Sequence, residues 1–153
     1  MPQSVVRESI VIAPLLSVDD PVGDAVALLA AQELPALPVV DAAGRLAGIF
    51  GEREFIAALF PTYLGTLRSA AFVRASLDDA LERRKDCRSE PVSQHMTTEH
   101  VDAPADVSDL QIAETFLHHS VLIVPIVTDG RPVGVVRRSA FFRALAARMG
   151  RFG

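Results

Sequence analysis

The sequence predicts an α/β (α+β) protein in which two copies of a β-α-β-β-α unit pack about a pseudo-twofold axis, joined by a long helical connector. The first observation is a repeat. Leu37-Pro38-Val39-Val40-Asp41, then Gly44-Arg45-Leu46-Ala47-Gly48-Ile49-Phe50, returns as Val124-Pro125-Ile126-Val127-Thr128, then Gly130-Arg131-Pro132-Val133-Gly134-Val135-Val136. Pro38 and Pro125 are 87 positions apart and Gly48 and Gly134 are 86, so one residue of slippage sits in the turn between them. The second observation is an apolar face at helical spacing ahead of each copy. The third is length: 153 residues hold one ordinary domain or two small lobes sharing a core. Two copies are too few for a solenoid, and a cleft between two lobes is a preferred ligand site.

Each copy opens on a short extended piece, Ile10-Val11-Ile12 and Leu15-Leu16 in the first and Val101 onward in the second. A helix follows. In the first copy Asp20 is the expected N-cap, with Pro21 at the first helical position, where its missing N–H costs nothing. Val22, Val26 and Leu29 then share a face, with Ala25 beside them. In the second copy Ser108-Asp109-Leu110-Gln111 reads as a capping box ahead of a face of Ile112, Ala113 and Phe116. Strands are expected over Ala36 to Val40 and Val121 to Val127. Glycine turns at Gly44 and Gly130 and second strands over Leu46 to Phe50 and Pro132 to Val136 come next. Pro38 and Pro125 cannot donate to a sheet ladder, which places them at strand edges or starts. Closing helices begin near Arg53 and Ser139.

The copies span residues 8–59 and 91–147, with a connector over 60–90. A structureless connection of that length is unusual, so a helix is expected from Ser76, with Leu77, Ala80 and Leu81 as a narrow apolar stripe. Glu82-Arg83-Arg84-Lys85-Asp86 reads as a solvated helix face.

Composition narrows the function classes. Half the residues are hydrophobic, with eight Phe, one Tyr and no Trp, so the apolar load is mainly aliphatic. A chain this apolar with a net charge of −4 is expected to hide further surface by self-association, and it lacks the basic footprint of a nucleic-acid binder. No apolar run approaches the roughly 18 residues of a membrane span, and Met1-Pro2-Gln3-Ser4 does not begin a signal peptide. Cys87 is the single cysteine, so no intrachain disulfide forms; it reads as a surface thiol in a reducing compartment, the cytoplasm. His95, His100, His118 and His119 fit no standard zinc spacing, and no metal is expected. No nucleophile–base signature or glycine-rich phosphate loop is present, so no catalytic residue is assigned.

These residues resemble the CBS domain, the cystathionine-β-synthase-type motif that occurs in tandem pairs called Bateman modules. The second copy carries more of it: Val92-Ser93-Gln94-His95-Met96-Thr97-Thr98 is similar to the family's opening, and Val124-Pro125-Ile126-Val127 and Gly134-Val135-Val136 to its continuation. The first copy lacks the Met-Thr opening but keeps Leu37-Pro38-Val39-Val40-Asp41 and Gly48-Ile49-Phe50. The resemblance implies two lobes packed sheet to sheet, dimerising into a flat disc. It also implies a regulatory role without catalysis, and AMP, ADP, ATP or S-adenosylmethionine bound between the motifs.

On that scaffold a nucleotide site needs an apolar slot for the purine, an acceptor for the ribose hydroxyls and donors for phosphate. Leu16, Leu37, Leu122 and Val124 are the slot candidates, with Ser17, Pro38, Val101 and Pro125 alongside. In the family, the Gly-apolar-apolar strand end is followed by Ser/Thr, two variable residues and an Asp that accepts from the ribose. Both copies depart from this. The first has Gly51 at the hydroxyl position and Glu54 at the Asp position; the second has Arg137 and Ala140. Glu54 keeps the charge with a longer reach, whereas Ala140 has no acceptor. Arg137, Arg138 and Ser139 read either as a phosphate or carboxylate grip at the cleft rim or as an ordinary helix start.

Two functions follow. One is a stand-alone homodimeric regulatory module that senses an adenosine nucleotide or related anion and signals to an effector. The other is a ligand-free dimeric interaction scaffold with degenerate sites. If a nucleotide binds, the Glu54 cleft is expected to make the ribose contact and the Ala140 cleft to bind more weakly.

Overall fold

The computed structural model describes residues 4–60 and 77–151. The chain begins with α1 (Val5–Ser9), capped by Ser4 Oγ, which accepts from the Arg7 N–H at 3.4 Å. β1 (Ile10–Val11) follows, then the first lobe: β2 (Leu16–Ser17), α2 (Val22–Gln32), β3 (Ala36–Val40), β4 (Leu46–Gly51) and α3 (Glu52–Leu59). The connector contributes α4 (Leu77–Arg83) and a 3-10 turn over Lys85–Ser89, and a second 3-10 turn, Val92–Gln94, opens the second copy. The second lobe is β5 (Ala103–Pro104), α5 (Asp109–His118), β6 (Ile123–Thr128), β7 (Arg131–Arg137) and α6 (Arg138–Gly150). The β-α-β-β-α unit read from the sequence is therefore present twice. Ser76, the expected start of the connector helix, lies outside the described residues.

Among the described residues two sheets form, ordered β2-β3-β4 and β1-β7-β6-β5. Within each lobe a two-residue strand pairs parallel to the first hairpin strand, and the hairpin itself is antiparallel. The lobes then exchange edges. β1, which leads into the first lobe, pairs with β7 of the second through Ile10↔Val136 and Val11↔Val135. Reciprocally, Thr97, leading into the second lobe, bridges to Ile49 on β4, with N–H···O distances of 2.9 and 2.8 Å. The repeated glycines explain themselves here. A Cβ on Gly48 would lie 2.8 Å from Thr97 O, and one on Gly134 would lie 2.8 Å from Ile10 Cγ2 and 3.0 Å from Val11 O. Each glycine leaves room for the other copy's lead-in. Gly44 and Gly130 serve a different need, since their φ values of +81° and +78° put them in the left-handed region at the hairpin tips.

The edge-strand expectation for the prolines requires correction. β3 and β6 are inner strands, yet neither proline interrupts a ladder. β2 joins β3 only from Val39, and β5 joins β6 only from Ile126, so Pro38 and Pro125 stand one residue before the parallel neighbour begins. Locally their open side is an edge, and both rings are buried.

The cores follow the repeat. One gathers Leu16, Val22, Ala25, Leu29, Leu37, Val39 and Phe50, and takes Ile123 and Val135 from the second lobe. The other gathers Ile112, Val124, Ile126, Val136 and Phe141 with Val5 and Val6 of α1. Val26, Ala113 and Phe116 pack against these cores, as the helix faces require. The capping box at Ser108 forms as expected, with Ser108 Oγ accepting from Gln111 N–H at 3.1 Å and Gln111 Oε1 accepting from Ser108 N–H at 2.9 Å.

The cap assigned to Asp20 does not form. Pro21 is the N-cap of α2, and Asp20 Oδ2 instead accepts from Ser17 N–H at 2.9 Å. The helix start is satisfied from across the connector, where Val22 N–H donates to Glu90 O at 2.8 Å. The opening of the second copy continues along the same line, with Val92 N–H donating to Asp20 O at 2.8 Å and Ser93 N–H to Val18 O at 3.1 Å.

Candidate functional site

Two of the cavities left where the lobes dock lie beside the passages into α3 and α6. The smaller, about 130 Å³, is walled by Pro35, Ala36, Ile49, Arg53 and Glu54 from the first lobe. Thr97, Glu99 and His100 close it from the second lead-in, and Ser120 to Ile123 from the approach to β6. Glu54 sits in the first turn of α3, held there by the abrupt passage from β4 through Gly51 into the helix. Its Oε2 accepts from Thr97 Oγ1 at 3.0 Å, a bond between residues 43 positions apart that only lobe docking creates. The His100 ring is largely buried, and its Nδ1 lies 3.6 Å from Asp102 Oδ2, beyond hydrogen-bond length. A carboxylate, a hydroxyl, an imidazole and the Arg53 guanidinium thus border one apolar-floored cavity. That set can accept from sugar hydroxyls and donate to an anion.

The larger cavity, about 760 Å³, opens beside it. Its walls are Leu29, Ala30, Glu33, Leu34 and Pro35, then Glu52, Leu122, Arg138, Ser139 and Phe142. It straddles the repeat axis: Glu52 N–H donates to Pro35 O and Arg138 N–H to Leu122 O, both at 2.9 Å, at repeat-related positions. The acid Glu52 in one copy therefore faces the same space as the base Arg138 in the other.

Of the residues expected to form the site, Gly51, Glu54, Leu122, Arg138 and Ser139 lie at or beside these cavities. Leu16, Leu37 and Val124 do not form an open slot; they are fully buried in the lobe cores, where aliphatic strand residues pack against helices. Ser17 is exposed, and its N–H and Oγ are used in the local turn with Asp19 and Asp20. Pro38 lines a separate cavity of about 120 Å³ with Ile12, Leu15, Pro132 and Val133. Pro125 is buried in β6, and Val101 is half-buried outside both cavity walls. Arg137 caps α6 through its backbone position, and its Nε is buried with no partner among the described residues. Of the two arginines expected at the rim, Arg138 lines a cavity and Arg137 does not.

The sequence reading did not place Arg53, Thr97, Glu99, His100 or Ser120 in a site. Thr97 carried the available signal, as part of the family's Met-Thr opening; the others are ordinary polar residues until the lobes meet. Cys87 is also corrected: it is buried, 1 % exposed, rather than a surface thiol. Arg84 likewise leaves the solvated face, donating through Nε to Ala58 O at 3.0 Å and through a terminal nitrogen to Glu90 Oε1 at 2.9 Å.

Among the described residues no helix is long and apolar enough to cross a membrane. The architecture is shared with known structures. A CBS domain-containing protein of unknown function from Kribbella flavida is similar at TM-score 0.72 and 20% identity, over 94% of this chain and 99% of that one. The CBS domain of a CBS domain-containing membrane protein from Sphaerobacter thermophilus matches at TM-score 0.70 and 25% identity, over 92% and 86%. CBSX2 in complex with AMP matches at TM-score 0.70 and 19% identity, over 96% and 99%. No curated protein matches the sequence. The CBS domain model matches residues 6–61 and again 92–147, more than half the chain and one match per lobe, and the protein accordingly belongs to the CBS domain family.

Proposed function

We propose that this chain is a non-catalytic regulatory module that binds an adenosine-containing nucleotide, or a related anion, between its lobes and signals to an effector protein. The observation that carries this reading is Glu54. It holds a carboxylate at the family's ribose-contacting position, on the wall of a cavity that both lobes build. A similar fold is known in complex with AMP. The cavity of about 130 Å³ is below the roughly 300 Å³ at which drug-sized ligand pockets begin. Binding therefore requires the exposed Arg53 and Glu99 side chains to swing outward and Thr97 to share or release Glu54. AMP, ADP, ATP and S-adenosylmethionine are the ligands to compare. Calorimetry on the wild type and Glu54→Ala is expected to show binding that the substitution weakens about tenfold, the equivalent of one hydrogen bond to a charged group. Tight binding indifferent to Glu54→Ala would place the sugar contact elsewhere.

A second reading, a dimeric interaction module without a ligand, draws on the second lobe's helices. Leu110 and Leu117 on α5 are 83% and 82% exposed, and Phe142 and Met149 on α6 are 67% and 77% exposed. Apolar side chains in such number on one lobe favour a protein interface. A homodimer is expected in either reading. Light scattering at micromolar concentration should give about twice the 16.4 kDa chain mass, and a monomer mass would remove the interface argument. Failure of every adenosine compound to raise the melting temperature, where a ligand at 100 times its dissociation constant adds about 2.7 kcal/mol, would leave the interaction reading standing.

A further inference from the structure

The end of the connector and the opening of the second copy bring together three side chains that line neither of these cavities. Cys87, Glu90 and His95 fall within nine consecutive residues, and the two 3-10 turns fold them onto one another. Their Sγ, carboxylate and imidazole donor atoms all lie within 4.8 Å of one another. His95 Nε2 is 2.9 Å from Glu90 Oε1, and the His95 side chain is only 18% exposed. Thiolate, imidazole and carboxylate together are the donor set of a borderline-soft divalent cation. Bonds of about 2.3 Å to sulfur and about 2.0–2.2 Å to nitrogen and oxygen set tetrahedral donor–donor spacings of about 3.3–3.7 Å. Since no pair exceeds 4.8 Å, the widest closes by at most about 1 Å, and the His95–Glu90 pair opens slightly.

We propose that Cys87, Glu90 and His95 form a binding site for a zinc-class divalent cation, leaving a fourth position open to water. The competitor is internal. The Arg84 guanidinium occupies Glu90 Oε1, and a cation at the carboxylate repels it. Arg84 has a second anchor in Ala58 O, so it keeps a partner when it yields Glu90. The Cys87 thiol gives up its proton when it binds a cation as thiolate, so affinity rises with pH. Structurally the site sits at the point where Glu90 O accepts from Val22 N–H. An ion there fastens the connector to the start of α2, away from both inter-lobe cavities.

The test uses the full chain with Co²⁺ as a spectroscopic probe and Zn²⁺ as the displacing ion, with no nucleotide present. One Co²⁺ per chain is expected, with a thiolate-to-cobalt charge-transfer band that one equivalent of Zn²⁺ removes. Cys87→Ser should abolish the band and His95→Ala should weaken binding at least tenfold, with circular dichroism confirming that each variant is folded. Arg84→Gln should bind several-fold more tightly than the wild type, a gain that a damaged fold cannot mimic. No charge-transfer band in wild type or Arg84→Gln, or a band that survives Cys87→Ser, overturns the proposal, and neither outcome bears on nucleotide binding.

Discussion

Gly51→Ser is expected to destabilise the protein by about 1–3 kcal/mol, the cost of overpacking a filled site, instead of restoring the hydroxyl that CBS domains carry at this position. The reason is space, since Gly51 has φ −155° and ψ −160°, extended backbone open to any residue. A Cβ there would collide with Pro35 O, and would lie 2.5 Å from Ala36 Cβ and 2.7 Å from Ala36 Cα. Those atoms cannot step aside, because Gly51 pairs with Ala36 in the ladder and the next residue's N–H donates to Pro35 O at 2.9 Å. The crowding belongs to the first lobe alone. At the matching ladder position of the second lobe, Arg137 pairs with Ile123 and is accommodated. Urea titration reads the loss directly as a lower midpoint. An unchanged midpoint would mean that β3 moves away from α3 at little cost.

The repeat made the fold legible. Glycine and proline are constrained by geometry more than by context, so Pro38/Pro125, Gly44/Gly130 and Gly48/Gly134 fixed the unit and its two-fold use. Ser108 with Gln111 was equally readable, because both halves of a capping box lie within one turn of chain. What failed depended on partners far away in sequence. Asp20 had the chemistry of a cap, but its carboxylate found the nearer Ser17 N–H, and α2 is capped by a carbonyl 68 positions on, Glu90 O. An aliphatic residue in a strand carries no mark that separates a core wall from a ligand slot, which is why Leu16, Leu37 and Val124 were placed in the wrong surroundings. The Glu54–Thr97 bond and the burial of Cys87 exist only after the lobes and connector dock. The short α1 escaped the reading for the same reason.

Asp109→Ala is expected to destabilise the protein substantially, because it releases α1 from the second lobe. Asp109 begins α5, yet its carboxylate reaches back across the chain. Oδ1 accepts from Ser4 Oγ at 2.7 Å and Val6 N–H at 2.9 Å, and Oδ2 accepts from Val5 N–H at 3.1 Å. It thereby satisfies amides that open a helix of five residues, too short to hold itself. Val5 and Val6 are buried in the second lobe's core and would be exposed if α1 lifted. Hydrogen bonds to a charged group contribute about 1.5–3 kcal/mol, and the three share one acceptor group, so a loss of about 3 kcal/mol is the reasonable scale. The pH dependence has a definite sign. Burial pushes the Asp109 carboxyl up, but the Val6 N–H, the Ser4 hydroxyl, the Val5 N–H and the Arg148 charge outweigh it and hold the pKa below its ordinary 3.8. The folded state thus favours the ionised form. Its contribution is complete above the unfolded pKa and drains away as pH falls through the lower folded value. Wild type should therefore lose stability faster than Asp109→Asn on acidification below about pH 4, while at neutral pH Asp109→Ala should unfold at lower urea and lose hydrogen-exchange protection at Val5 and Val6. Equal acid sensitivity in wild type and Asp109→Asn, with α1 still protected, would show that packing of the two valines alone holds the helix in place.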